Sequence, residues 1–162
     1  MPAVADTSVV MNLAIIGRLV FLREQFGTIL VPRAVMEELR LDETLPGNSE
    51  IRQAIHDGWL QARETQQRAL VTSLRSELHR GEAEAIALAA ELDPDWLLLD
   101  ERDARRVAKS HGLRVTGVLG ILRRAWREKR IPSLRAAVAD LQTKAGFRLH
   151  KDLLDEFLKD SE

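Results

Sequence analysis

The 162-residue chain has no cysteine and no tyrosine, and aromatic residues make up only 4% of it. Without thiols, a disulfide scaffold, a thiolate metal centre and a cysteine nucleophile are all excluded. With few aromatics, Leu, Ala, Val and Ile must build the interior. No apolar run approaches the roughly 18 residues that a bilayer crossing needs. The N-terminus lacks the basic flank and long apolar core of a secretion signal. These absences lead to the expectation of a cytoplasmic protein with no membrane partner. Bulk charge is absent too: the formal net charge is -1. Its distribution is uneven, with eleven Lys or Arg between Arg102 and Arg135 against only Asp103 and Glu128. Such a face suits a polyanion.

What is present is an alternation of apolar runs and helical patterns in a chain long enough for one real core. "PAVAD" (2–6), "TILVP" (28–32), "GWLQAR" (58–63), "DWLLLD" (95–100) and "LRVTG" (113–117) read as strands. "DWLLLD" is continuously apolar, as a strand buried on both faces is. Helical patterns separate the strands. One ends at Gly27, another is opened by Pro32, and the Ala-rich "GEAEAIALAAEL" (81–92) is the strongest. Strands divided by helices predict an α/β fold, a parallel sheet with helices on both faces.

Carboxylates mark the places where such a sheet builds its sites, the carboxyl ends of its strands. Asp6 ends the first strand and Asp100 ends "DWLLLD". If those strands are neighbours, the two acids share one crevice. Glu38, directly before Leu39, and Glu82, in line with Ala85, Ile86 and Ala89, can reach it from helices. Glu84 lies about 200° further round its helix. Each acid alone has a plain structural reading: helix capping for Asp6 and Asp100, an exposed position for Glu38, a favourable helix-start charge for Glu82. As a set, converging carboxylates repel one another and raise each other's pKa unless a cation sits among them. Hard oxygen donors without Cys or paired His favour Mg²⁺ or Mn²⁺. That chemistry suits phosphodiester hydrolysis. His56, His79, His111 and His150 are scattered and read as surface or capping residues.

Five segments, "VADTSVVMNLA", "VPRAVMEEL", "GEAEAIALA", "LLLDERDARRVA" and "VTGVLGIL", follow one another in the order used by the PIN-domain family. The chain resembles its branch close to the VapC-type toxins, often described as a domain of unknown function. The resemblance implies a PIN-like domain over residues 1–145 with about five parallel strands. Residues 146–162 would form a helical extension, packed on the domain or on a partner through Leu149, Leu153, Leu154, Phe157 and Leu158. It further implies a Mg²⁺- or Mn²⁺-dependent endoribonuclease, a toxin of a toxin–antitoxin pair, or a PIN-fold binding module that has lost catalysis. Its acids carry over as Asp6, Glu38, Glu82 (with Glu84 as the alternative third acid) and Asp100. Glu101 and Asp103 stand close by. Thr7, Ser8, Asn12 and Thr116 look like supporting polar groups. The toxins often place a Thr before the fourth acid; here that position is Leu99.

RNA contact is expected from Arg102, Arg105, Arg106, Lys109, Arg123, Arg124 and Arg127. Arg105/Lys109 and Arg123/Arg127 are like-charge i, i+4 pairs, unfavourable unless an anion compensates. An antitoxin protein and a second copy of the chain are the other expected partners. Two further enzyme classes fit poorly. A haloacid-dehalogenase-like phosphatase needs a second Asp where Ser8 stands. A response-regulator receiver needs a late Lys where Gly117 and Val118 stand.

Overall fold

A computed structural model describes residues 2–161. Five parallel strands form one sheet: β1 (Ala3–Ala5), β2 (Ile29–Val31), β3 (Leu60–Ala62), β4 (Leu97–Leu98) and β5 (Val115–Thr116), in the order β3-β2-β1-β4-β5. The central strand β1 pairs with β2 through Ala3↔Ile29 and with β4 through Val4↔Leu97. Strands 1 and 4 are therefore neighbours, and the chain reverses its winding between them.

The two-residue period of a strand explains the layers. Ala3, Ala5, Ile29, Val31 and Leu98 face one side. They are covered by α1 (Thr7–Ile15), α2 (Val20–Phe26), α3 (Arg33–Glu38), α4 (Asn48–His56), α8 (Val118–Arg127) and α9 (Leu134–Lys144). Val4, Leu30, Leu97 and Leu99 face the other side, where α5 (Arg68–Leu74), α6 (Arg80–Leu92) and α7 (Arg102–Ser110) pack. Five alanines and glycines of α6 are buried, so small residues let this helix lie close to the sheet. Gly27 ends α2 at φ 75°, a left-handed angle that favours glycine.

The last helix, α10 (Lys151–Leu158), lies on the same domain. Leu158 is buried in the core, Leu154 and Phe157 are half-buried against it, and Leu153 is 61% exposed. "DWLLLD" contributes only Leu97 and Leu98 as strand, with Leu99 still donating to Thr116 O at 2.9 Å before the chain turns towards α7. Among the described residues, no helix is long and apolar enough to cross a membrane.

Candidate metal centre

At the carboxyl end of β1 the chain turns directly into α1, with Asp6 at the junction. The Asp6 N–H donates to Leu98 O at 3.0 Å, so the sheet itself fixes the residue. No hydrogen bond from its side chain caps α1. Asp6 is 5% exposed and borders an open cleft of about 640 Å³. Burial pushes the Asp6 carboxyl up to about 7; the Thr7 N–H offsets part of that, and Glu82, Glu38 and Asp100 add to it. Three other acids thus act on Asp6 through space.

Glu38 enters the cleft from α3. Its Oε2 accepts the Thr7 hydroxyl at 2.5 Å and its Oε1 accepts the Gly81 N–H at 3.1 Å. Glu82 enters from the first turn of α6, where its Oε1 accepts the His79 N–H at 3.1 Å. Burial raises the Glu82 carboxyl; the His79 N–H works against this, and Glu101 and Glu38 add to it. Glu82 is therefore both a helix-start residue and a cleft residue.

Glu84 faces elsewhere. Its Oε1 accepts the Ala34 N–H at 3.1 Å, and its Oε2 meets Arg80 Nε at 3.0 Å and Arg68 Nη2 at 3.7 Å. It joins the start of α3 to α6 on the side away from the cleft.

Asp100 stands behind the cleft. Its Oδ1 accepts the Val118 N–H at 3.0 Å, tying β4 to the start of α8. Its Oδ2 is buried and has no hydrogen-bond partner. Burial raises this carboxyl, with the Val118 N–H and the Arg105 guanidinium acting against it. An orphaned buried oxygen is costly unless something outside the chain compensates it. The helix after Asp100 is capped by Glu101, which accepts the Ala104 N–H at 2.8 Å and also borders the cleft. Asp103 does not line it.

Ser8, Asn12 and Thr7 line the cleft with Met11. Thr116 does not: it borders a separate cavity of about 190 Å³ with Gln25, Trp96 and Arg124. Thr116 is the last residue of β5, at the corner where the chain turns through Gly117 into α8.

The basic stretch is also partly committed. Arg105 donates to Leu99 O at 2.8 Å. Arg123 donates to Phe157 O at 2.8 Å, and its guanidinium lies 4.2 Å from the centre of the Phe157 ring. Arg124 pairs with Glu128 at 2.8 Å. Arg127 borders a second hollow, of about 400 Å³, between α8 and α10. Arg102, Arg106 and Lys109 are exposed on α7. None of these seven lines the acidic cleft. Its rim carries Arg75, His79 and Arg80 instead, of which Arg80 is paired with Glu37 and Glu84. Arg75 and His79 were invisible as a pair in the sequence, because they flank a turn between α5 and α6. The position of His79 three residues before Glu82 was the available signal.

Asp6, Glu38 and Glu82 fit a hard divalent cation by donor chemistry, and the unpartnered Asp100 Oδ2 fits it by its need for a positive charge. Among the described residues, no three His, Asp or Glu side chains form a ready-made cage. The acids instead surround a water-accessible opening.

Fold and site together define an α/β protein with an acid-lined cleft at the switch point of an open parallel sheet. The family model described as DUF3368, a PIN domain, matches residues 2–162, and the chain belongs to that family. The matched span includes α9 and α10. PIN domains are generally nucleases and typically use divalent metal ions. The fold is similar to that of a PilT N-terminus domain protein, SSO1118, from the hyperthermophilic archaeon Sulfolobus solfataricus P2. The TM-score is 0.53 at 16% identity, covering 77% of this chain and 93% of that one. No curated protein matches the chain.

Proposed function

We propose that the protein is a Mg²⁺- or Mn²⁺-dependent endoribonuclease, with Asp6, Glu38, Glu82 and Asp100 as the residues that hold the cation. The observation that carries this reading is the unpartnered Asp100 Oδ2 behind a cleft already bordered by Asp6, Glu38 and Glu82. A bound divalent cation supplies Lewis-acid charge and a water of lowered pKa for phosphodiester hydrolysis.

The chain's own residues do the rest. The β1–β4 pairing holds Asp6 and Asp100 on adjacent strand ends. Thr7 and the Gly81 N–H hold the two oxygens of Glu38. Thr7, Ser8 and Asn12 supply polar groups to the cleft floor, and Arg75 gives its rim positive charge for a phosphate backbone, whereas Arg80 already pairs with Glu37 and Glu84. Arg75 is exposed and pairs with no acid among the described residues. Arg102, Arg106 and Lys109 extend RNA contact along α7. Arg105, Arg123 and Arg124 contribute less, since each already has a partner. A toxin role with an antitoxin partner and homodimerisation belong to the same proposal and rest on the family resemblance; a cytoplasmic location belongs to it too and rests on the lack of a long apolar run and of a secretion signal in the sequence.

The absence of a ready-made cage among the described residues favours a second reading, a PIN-fold RNA-binding module without hydrolysis. Cleavage of varied RNAs by purified protein separates the two. Metal-dependent cleavage abolished by chelator supports the enzyme. RNA binding with no cleavage in Mg²⁺ or Mn²⁺ supports the module. Cleavage that persists in chelator overturns the metal mechanism.

A further inference from the structure

Gly81 is the second residue of α6, and its φ lies outside the left-handed region. Nothing in its backbone conformation calls for glycine. Glycine is among the poorest helix formers and alanine is the best. The local sequence around it is Ala-rich, so alanine would be the ordinary residue at this position.

Space explains the choice. A Cβ at position 81 would come within 2.6 Å of Glu38 Oε1, 2.8 Å of Oε2 and 3.0 Å of Cδ. All three of its nearest neighbours belong to one carboxyl group. That same group accepts the Gly81 N–H at 3.1 Å and the Thr7 hydroxyl at 2.5 Å.

We infer that Gly81 is a positioning residue: its missing side chain lets the Glu38 carboxylate lie against the start of α6, clamped between the residue 81 amide and Thr7. The placement stands on contact geometry alone. Its consequence for metal affinity rests on the proposed cation site.

Gly117 shows what the alternative would look like. A Cβ there would come within 2.2 Å of Asp100 Oδ1, 2.9 Å of Arg105 Nη1 and 3.3 Å of Leu99 O. The Asp100 side chain is short, half-buried and tied to Val118, and the next obstacles include backbone, so the fold must yield. Glu38 is long and exposed, so its carboxyl swings aside and the fold stays. A methyl at 81 therefore acts on the acid, whereas one at 117 acts on the domain.

The experiment uses the full chain as wild type and Gly81→Ala, each with and without Glu38→Gln. In metal-free protein, the amide resonance of residue 81 reports the clamp. It should shift on Glu38→Gln in the wild-type background and stay still in the Gly81→Ala background. Mn²⁺ titration should show affinity weakened about 10–100-fold in Gly81→Ala, the range for lost outer-shell support. Melting temperature of the metal-free protein should be unchanged or raised, a direction that a merely structural glycine would not give. An amide that still responds to Glu38→Gln in Gly81→Ala overturns the inference, as does unchanged Mn²⁺ affinity. If wild type binds no Mn²⁺ but the amide response disappears in Gly81→Ala, the positioning role holds and the metal reading fails.

Discussion

Helices α3 and α6 each carry two acids that part company. Glu38 and Glu82 line the open cleft, while Glu37 and Glu84 face a group of arginines. In the arginine group, Arg80 Nη1 reaches Glu37 at 2.7 Å and its Nε reaches Glu84 at 3.0 Å. Arg33 adds to Glu37 and Arg68 to Glu84. In the cleft, Glu38 and Glu82 have only neutral donors, N–H groups and one hydroxyl. The same two helices thus hold one charge-balanced cluster and one left unbalanced. Balanced charge knits α3 to α6. Unbalanced charge is tolerated at a cost, and that cost is what a cation would remove.

The sharpest way to break the comparison is Asp6→Asn. In the metal-free protein the raised Asp6 carboxyl makes folding weaker as pH climbs. A folded-state value of about 7 against 3.8 in the open chain means that stability is full below pH 4 and is lost progressively up to about pH 7. Asp6→Asn should abolish that decline and stabilise the protein at pH 8 by about 2–4 kcal/mol. The same change should lower Mn²⁺ affinity and any RNA cleavage by about 100-fold or more. Denaturant melts at pH 4 and pH 8 and a metal titration check both halves. An Asn variant that is weaker than wild type at pH 8 would place Asp6 among ordinary structural acids.

Glu84→Ala should behave in the opposite way. It strips the buried Ala34 N–H of its acceptor and leaves Arg80 and Arg68 without their inner partner. A stability loss of about 2–4 kcal/mol is expected. Mn²⁺ affinity per folded molecule should not change. A large affinity loss would merge the two clusters into one. The smallest effect belongs to Glu37→Gln, which removes an exposed partner of Arg33 and Arg80. Surface pairs contribute little, so the melting temperature should shift only marginally and shift less still in high salt.

The sheet and the direction of its strands were legible from apolar runs separated by helices, and so were the five family segments. Strand ends located Asp6 and Asp100, and helical phase put Glu82 and Glu84 on different sides of α6. The alignment of Glu82 with Ala85, Ile86 and Ala89 favoured it over Glu84, and Glu82 is the one of the two that lines the cleft; what Glu84 does instead was not legible, because it depends on where α3 docks. Arginine roles were hidden for the same reason. Arg123 is satisfied by Phe157, 34 residues away, and Arg124 leans on Gln25 O, 99 residues away. The like-charge argument at Arg123/Arg127 pointed to a missing anion; the compensation for Arg123 is a carbonyl and a ring within the chain. The "LRVTG" run put Thr116 at a strand end, where it stands, but β5 is the edge strand and the residue borders a different cavity. Glu101 drew attention only as a neighbour of Asp100, although it both caps α7 and borders the cleft.

The strand order has a consequence for biosynthesis. β1 is complete after five residues, yet its partner β4 begins at Leu97. A nascent chain that has emerged only as far as α6 already carries Asp6, Glu38 and Glu82, but one side of β1 is still open. Asp100 arrives later, and its tether at Val118 later again. Pairings this distant in sequence form late. The cleft therefore cannot be completed before β4 joins β1, and a product truncated before β4 would hold most of the acids without the enclosure that gives them their chemistry.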